Sequence, residues 1–235
     1  MAVTVNTKLL PITNGKSHAL SSDNEGVVSY DINLPYAPQS EAEQQQARLR
    51  TEYPGYLPNF DKIWFDPLPE FEYHDPALRA DKSKSNLLQP GVSIRHITPK
   101  MGTILSGVKL KDLSDAAKDE LALLMAERKI VVLRDQTEFL KAGPKFQQDF
   151  MAYYGKPNYQ PVTGCVKGFP GFHIIHRDNN EAEIEKFFQH KMTSTLWHQD
   201  VSYEQQPPGY IMLGILSCPE VGGDTVFADT AEAYR

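Results

Sequence analysis

LWHQDVSYEQQPPGYIMLGILSCPEVGGDTVF, residues 196–227, is the stretch from which the rest of the chain can be read. Near its start, His198 and Asp200 stand two residues apart in a setting that reads as extended. Side chains at i and i+2 of a strand leave the same face, so an imidazole nitrogen and a carboxylate oxygen converge on one point. Two protein donors of a divalent metal need that convergence. With one remote His they complete the facial triad of non-haem Fe(II) sites, which leaves three coordination positions open. Gly222, Gly223, Asp224 and Thr225 then read as a tight turn into the apolar Val226-Phe227, setting a hydroxyl at the mouth of a β structure.

His-x-Asp is a weak signal by itself, and the chain contains a second one, His176-Arg177-Asp178. That pair runs into Asn179, Asn180 and a charged, helix-like segment, and reads as a loop. The pair at His198 is flanked instead by Trp197 and Val201-Ser202-Tyr203, then by Pro207-Pro208 and an apolar strand.

A chain of 235 residues, 40% of them hydrophobic, can bury a sizeable core in one large domain or two small ones. A formal charge of -6 with no basic face argues against a general nucleic-acid binder. No run has the length of a membrane span; the best apolar one, Tyr210 to Cys218, is strand-sized. The N-terminus lacks the apolar core of a secretory signal. Cys165 and Cys218 are too few for a disulfide framework and lack metal spacing, so they read as reduced thiols in a cytoplasmic protein.

Residues 1–52 are polar and are expected to form a mobile arm, with one exposed helix over Glu41 to Arg50. Residues 53–90 read as an extended strap, whose Tyr53, Tyr56, Phe60, Trp64 and Phe65 alternate with prolines and need a surface to cover. From residue 91 to 235, short strands alternate with helices. Val92 to Ile97 reads as a strand, with His96 an ordinary strand residue, and Thr103 to Leu110 as a second strand or hairpin arm. Ser114 stands where a helix N-cap belongs, and Ala117, Leu121, Leu124 and Met125 form one stripe that ends at Arg128-Lys129. Ile130 to Leu133 reads as a buried strand. A second helix follows Pro144, with Phe146, Phe150 and Tyr153 on one face and Gly155 as its stop. Phe172 to His176 can be a strand, which would set His173 and His176 on opposite faces. The fold class expected is mixed α and β: the N-terminal and central part of a double-stranded β-helix, or jelly roll, with flanking helices.

WHQDVSYEQQPP followed by PEVGGDTVFADT resembles the iron- and 2-oxoglutarate-dependent taurine/sulfonate and chlorophenoxyacetate dioxygenases. Upstream, Tyr73 to Asp81, Ile97 to Gly102, Leu113 to Leu124 and Val131 to Gln136 resemble the fungal sulfonate dioxygenase branch. The resemblance implies the jelly roll, and a centre in which Fe(II) is held by His198, Asp200 and a distal His. It also implies 2-oxoglutarate as co-substrate, O2 as oxidant, and succinate and CO2 as products of a hydroxylation that, beside a sulfonate, expels sulfite. Thr225 matches the threonine that binds the distal carboxylate of 2-oxoglutarate in relatives. The expected partners are therefore a small, anionic, sulfonate-type substrate and O2, with neither nucleic acid nor membrane and with homo-oligomerisation left open.

Two departures from the family pattern stand out. No His follows His198, and the only Arg after Arg177 is Arg235, so the family's distal His and 2-oxoglutarate-binding Arg are not in their expected places. The last seven residues, Asp229 to Arg235, begin with an N-cap and have Glu232 three residues on, a capping-box pattern opening a helix. It reads as the first part of a longer enzyme, the alternative being a catalytically inactive truncated form. The second departure concerns substrate. Sulfonate-using relatives tend to place His after the second helix, where this chain has Asn158 and Gln160. Gln160, Thr163 and Ser194 are the candidate substrate contacts, and sulfonate remains the first expectation.

Overall fold

The computed structural model of the chain describes residues 41–59, 68–159, 164–176, 197–222 and 224–234. It separates into two compact units, Met1–Glu70 with Pro157–Ser217 and Phe71–Lys156 with Cys218–Arg235.

The second of these holds a three-stranded sheet in the order β1-β2-β3. Strand β1 (Ser93–His96) pairs antiparallel with β2 (Thr103–Ser106), in a register that sets Ser93 opposite Ser106 and His96 opposite Thr103. Strand β3 (Val131–Leu133) pairs parallel with β2, Thr103 opposite Val131. The central strand alternates as a two-faced strand should, with Thr103 and Leu105 buried and their neighbours half-buried. β1 is exposed throughout, and β3, expected to be buried, is half-buried, because both lie at edges of this small sheet. Gly107, just past β2, has φ +91, and a Cβ there would meet the Gly91 carbonyl oxygen at 2.7 Å, so only glycine fits. His96 is the strand residue expected, its Nδ1 2.9 Å from the Thr103 hydroxyl.

Parallel strands need a crossover, and helix α2 (Asp115–Arg128) supplies it between β2 and β3. Ser114 caps it as expected: its Oγ accepts from the Ala117 amide at 3.2 Å. At the other end Lys129 turns to φ +66 and donates its amide to the Met125 carbonyl at 2.7 Å. Ala117, Leu121 and Leu124 are buried as the stripe foretold, whereas Met125 is half-buried. Replacing Ser114 with alanine is expected to cost about 1 kcal/mol of stability, read from a urea midpoint, with no effect on metal affinity.

The same helix buries acids that its apolar stripe does not reveal. Glu120 is wholly buried, and its two oxygens accept from the Leu87 amide and the Asn86 side chain, each at 2.6 Å. Asp119 pairs with Arg79 at 2.7 Å and accepts the Tyr153 hydroxyl at 2.7 Å, while Glu127 takes Lys84 at 2.9 Å. Residues 79–87 are thus tied to one helix by three carboxylates.

Helices α3 (Thr137–Lys141) and α4 (Gly143–Ala152) follow, the second with Pro near its start as expected. They are joined by Phe139 against Phe150, ring centroids 5.1 Å apart and edge-on, and by Gln147 Nε2 donating to the Phe139 carbonyl at 3.1 Å. The last helix, α5 (Thr230–Tyr234), is capped by Asp229, whose Oδ1 accepts from the Ala231 amide at 3.0 Å. Glu232 pairs with Lys100 at 2.6 Å.

In the other unit, helix α1 (Glu41–Arg50) lies where its sequence placed it. Asn59 forms an antiparallel bridge with Cys165, and the amide of Ile174 donates to the Gly164 carbonyl at 2.9 Å. Neither cysteine is in a disulfide; Cys165 is buried here, and Cys218, of the second unit, is exposed.

Two expected strands of this unit are not strands. Tyr210 to Ser217 has no ladder partner among the described residues, and Ile211, Met212, Leu213 and Ile215 are exposed. Apolar sequence alone does not make a strand; pairing does, and a lone extended segment has little to hold it. Phe172 to His176 likewise carries no ladder. Among the described residues the chain is mixed α/β with one small sheet, and none of its helices is long and apolar enough to cross a membrane.

Candidate functional site

His198 and Asp200 meet, but not on a strand. Trp197 to Gln199 is irregular and a turn begins at Asp200. Val201 follows with φ +44, a left-handed conformation that a β-branched residue adopts only under strain. Such strain costs on the order of 1–3 kcal/mol and persists only where its surroundings enforce it. Here the Val201 side chain is buried, and its carbonyl accepts the Glu204 amide at 3.0 Å. The reversal brings the side chains of residues 198 and 200 to one side. His198 Nε2 stands 3.1 Å from Asp200 Oδ1, and the two side chains are only 20% and 9% exposed.

That distance tests whether the residues fit a metal. Two donors at right angles, each about 2.1 Å from a shared divalent ion, stand about 3.0 Å apart. The pair therefore has a spacing compatible with neighbouring donors, one imidazole and one carboxylate, a set that serves several divalent metals. No third His, Cys, Asp or Glu joins them as a ready-made cluster among the described residues.

Upstream histidines come into the same unit. His173 is half-buried, and its Nδ1 is buried without a hydrogen-bond partner, as is His176 Nε2. Burial pulls the His173 pKa below its ordinary value, and the negative charge of Asp200 opposes that shift. Asn158 Oδ1 is a third buried polar atom of this unit without a partner. Each orphan costs roughly 1–3 kcal/mol, which marks it as a place to look for function. The strand reading of Phe172 to His176 missed this, because alternation assigns faces but not burial. The signal available was two histidines in an otherwise apolar run, Phe172-His-Ile-Ile-His176.

Thr225 belongs to the other unit, half-buried in an irregular segment; Gly222 has φ +86, and Gly223 of the expected turn lies outside the described residues. Gln160, Thr163 and Ser194 lie outside the described residues. So do Arg177 and Asp178 of the second His-x-Asp.

A mixed α/β chain that presents an imidazole and a carboxylate at the spacing of adjacent metal donors is, in class, a candidate non-haem metal protein. Residues 93–235 match the taurine catabolism dioxygenase TauD, TfdA family. An alpha-ketoglutarate-dependent sulfonate dioxygenase of Saccharomyces cerevisiae is 39% identical, the match covering 95% of this chain and 57% of that protein. A putative alpha-ketoglutarate-dependent sulfonate dioxygenase of Schizosaccharomyces pombe is 33% identical over 78% of this chain and 46% of its own length. An alpha-ketoglutarate-dependent sulfate ester dioxygenase of Pseudomonas putida is 26% identical, over 61% of this chain and 44% of its own. No solved structure matches. The chain belongs to the TauD/TfdA dioxygenase family, and it spans about half the length of the curated relatives it matches.

Proposed function

We propose that this chain is part of an Fe(II)- and 2-oxoglutarate-dependent dioxygenase that hydroxylates a small anionic substrate, a sulfonate first among the candidates. The observation that carries the reading is the 3.1 Å approach of His198 Nε2 to Asp200 Oδ1 in a sheltered turn. The family membership and the sulfonate dioxygenases among the relatives support it. In this reading the complete protein has the family's jelly roll, and a distal His and an Arg complete the centre.

Bound Fe(II) would supply the activation of O2 coupled to 2-oxoglutarate decarboxylation. This chain's residues would do the rest. His198 and Asp200 hold the ion, leaving positions open for co-substrate and O2. Asp200 also cancels one of its two charges, which leaves one positive charge to attract the anionic chelator. Thr225 donates its hydroxyl to the distal carboxylate of 2-oxoglutarate and fixes the chelator's orientation. Gln160, Thr163 and Ser194 are assigned to the substrate. As neutral hydrogen-bonding groups they would orient an anion without adding charge.

The test is turnover by the full-length protein, with succinate and sulfite measured in parallel on an alkyl sulfonate and on the matching carboxylate. Succinate and sulfite in equal amounts from the sulfonate are expected. Absence of 2-oxoglutarate-dependent turnover on either substrate would overturn the reading. For Thr225→Ala, one hydrogen bond to a charged group is lost, worth about 1.5 kcal/mol, so the KM for 2-oxoglutarate should rise roughly tenfold. Fe(II) affinity measured without 2-oxoglutarate should stay unchanged. An unaltered KM would remove that role from Thr225.

A further inference from the structure

We propose that the cleft between residues 71–74 and the end of helix α4 binds a small aromatic anion, an arene carboxylate or sulfonate, with its acid group on Lys156 and its ring against Tyr73 and Phe71. The cleft lies wholly within the unit Phe71–Lys156 with Cys218–Arg235, and the inference does not depend on reading His198 and Asp200 as metal ligands. Its volume is about 320 Å³. Small-molecule sites span roughly 300–1,000 Å³. Phe71, Tyr73, Tyr153 and Tyr154 give it aromatic walls, and Tyr73 is exposed. Such rings offer a ligand apolar area and a π face together.

One carboxylate holds both walls. Asp119, buried on α2, takes the Arg79 guanidinium at 2.7 Å and the Tyr153 hydroxyl at 2.7 Å. Arg79 ends the single turn Pro76–Arg79 that follows residues 71–74, and Asp75 caps that turn by accepting the Ala77 amide at 2.9 Å. Tyr153 stands at the end of α4. The two sides are thereby tied to the same point of α2.

The sign of the ligand follows from which cations already have partners. Arg79 and Lys118 lie over the Tyr153 ring, 5.8 and 4.7 Å from its centroid, and Lys156 lies over Phe71 at 4.6 Å. Arg79 has Asp119, and Lys118 has Asp115 at 2.9 Å. Lys156 has neither an acid nor a hydrogen-bond acceptor among the described residues. The other acid at the rim, Glu72, already has His74 Nε2 at 3.3 Å. A cationic ligand would compete with the Lys156 ammonium for the ring face it covers, whereas an anion supplies the partner that ammonium lacks. A lysine ammonium acts as a point charge and imposes no planar fork, so carboxylate and sulfonate serve equally.

The experiment is isothermal titration of the full-length protein, kept free of metal with EDTA, with 2-naphthoate and with the uncharged 2-naphthamide. Wild type is expected to bind one equivalent of 2-naphthoate with a Kd of about 0.1–1 mM, and the amide about tenfold more weakly. Lys156→Gln should weaken 2-naphthoate about tenfold, to the level of the amide, while Lys156→Arg stays within about threefold of wild type. Tyr73→Ala should weaken both ligands by roughly 2–10-fold. His198→Ala should leave 2-naphthoate binding unchanged; a loss there matching that of Lys156→Gln would place the anion at the metal pair and overturn the proposal. So would equal affinity for acid and amide, undiminished binding in Lys156→Gln, or equal losses in Lys156→Gln and Lys156→Arg. Absence of saturable 2-naphthoate binding at roughly tenfold above the expected Kd would overturn it outright. Each of these outcomes leaves the Fe(II) reading standing, because no metal is present in the titration.

Discussion

His198→Ala in the full-length protein is expected to lose Fe(II) affinity by more than a hundredfold and to abolish turnover. The reasoning starts from the geometry. His198 Nε2 and Asp200 Oδ1 are the two donors that the turn brings to 3.1 Å, and removing one leaves a lone carboxylate on this side of the centre. Loss of a mere outer hydrogen bond costs about 10–100-fold in affinity, and loss of a ligand must exceed that. Asp200→Asn should behave similarly while keeping shape, since an amide oxygen is a weaker, uncharged donor. Neither change should unfold the chain, because the turn is held by the Val201 side chain and the Val201-Glu204 hydrogen bond, which both variants retain. The check is an anaerobic Fe(II) titration beside a melting curve. Undiminished affinity in His198→Ala would remove the residue from the site.

The second large effect is one of stability. Glu120→Ala is expected to cost about 2–4 kcal/mol, a shift of roughly 1–2 M in the urea midpoint. Glu120 is fully buried, and its carboxylate is made tolerable there by the Leu87 amide and the Asn86 side chain, each 2.6 Å away. Alanine removes the acceptors and strands both donors, and the cavity adds to the loss. Glu120→Gln should be milder. Its remaining oxygen can still serve Leu87, and Asn86 can turn its amide to accept from the new NH2 group. An alanine variant as stable as wild type would show that water replaces the carboxylate without loss, and the tie between residues 86–87 and α2 would carry no stability.

Local structure was legible in the sequence; what depends on distant partners was not. Helix α2 could be bounded from Ser114 and Arg128-Lys129, because caps and charges act within one turn of the helix end. Strand β1 followed from alternation, and β2 from the run Thr103 to Leu110, expected as a second strand or hairpin arm. The buried Glu120 could not be foreseen, since its partners lie more than 30 residues upstream and an amphipathic pattern places acids outside. Helix α3 spans five residues, too few for any periodicity to register. Tyr210 to Ser217 was misread because an apolar run specifies burial but not pairing. The convergence of His198 and Asp200 was foreseen for a reason that did not hold: a strand was expected, and a strained turn at Val201 brings the two together.

The most direct measurement is an anaerobic titration of the full-length protein with Fe(II) and then 2-oxoglutarate, followed in the visible range. With His198 and Asp200 as ligands and 2-oxoglutarate chelating the ion, a charge-transfer band grows on addition of the second component. It saturates at one equivalent and is absent from His198→Ala. A wild-type protein that shows no band, or a band that survives in His198→Ala, would contradict the assignment of iron to this turn.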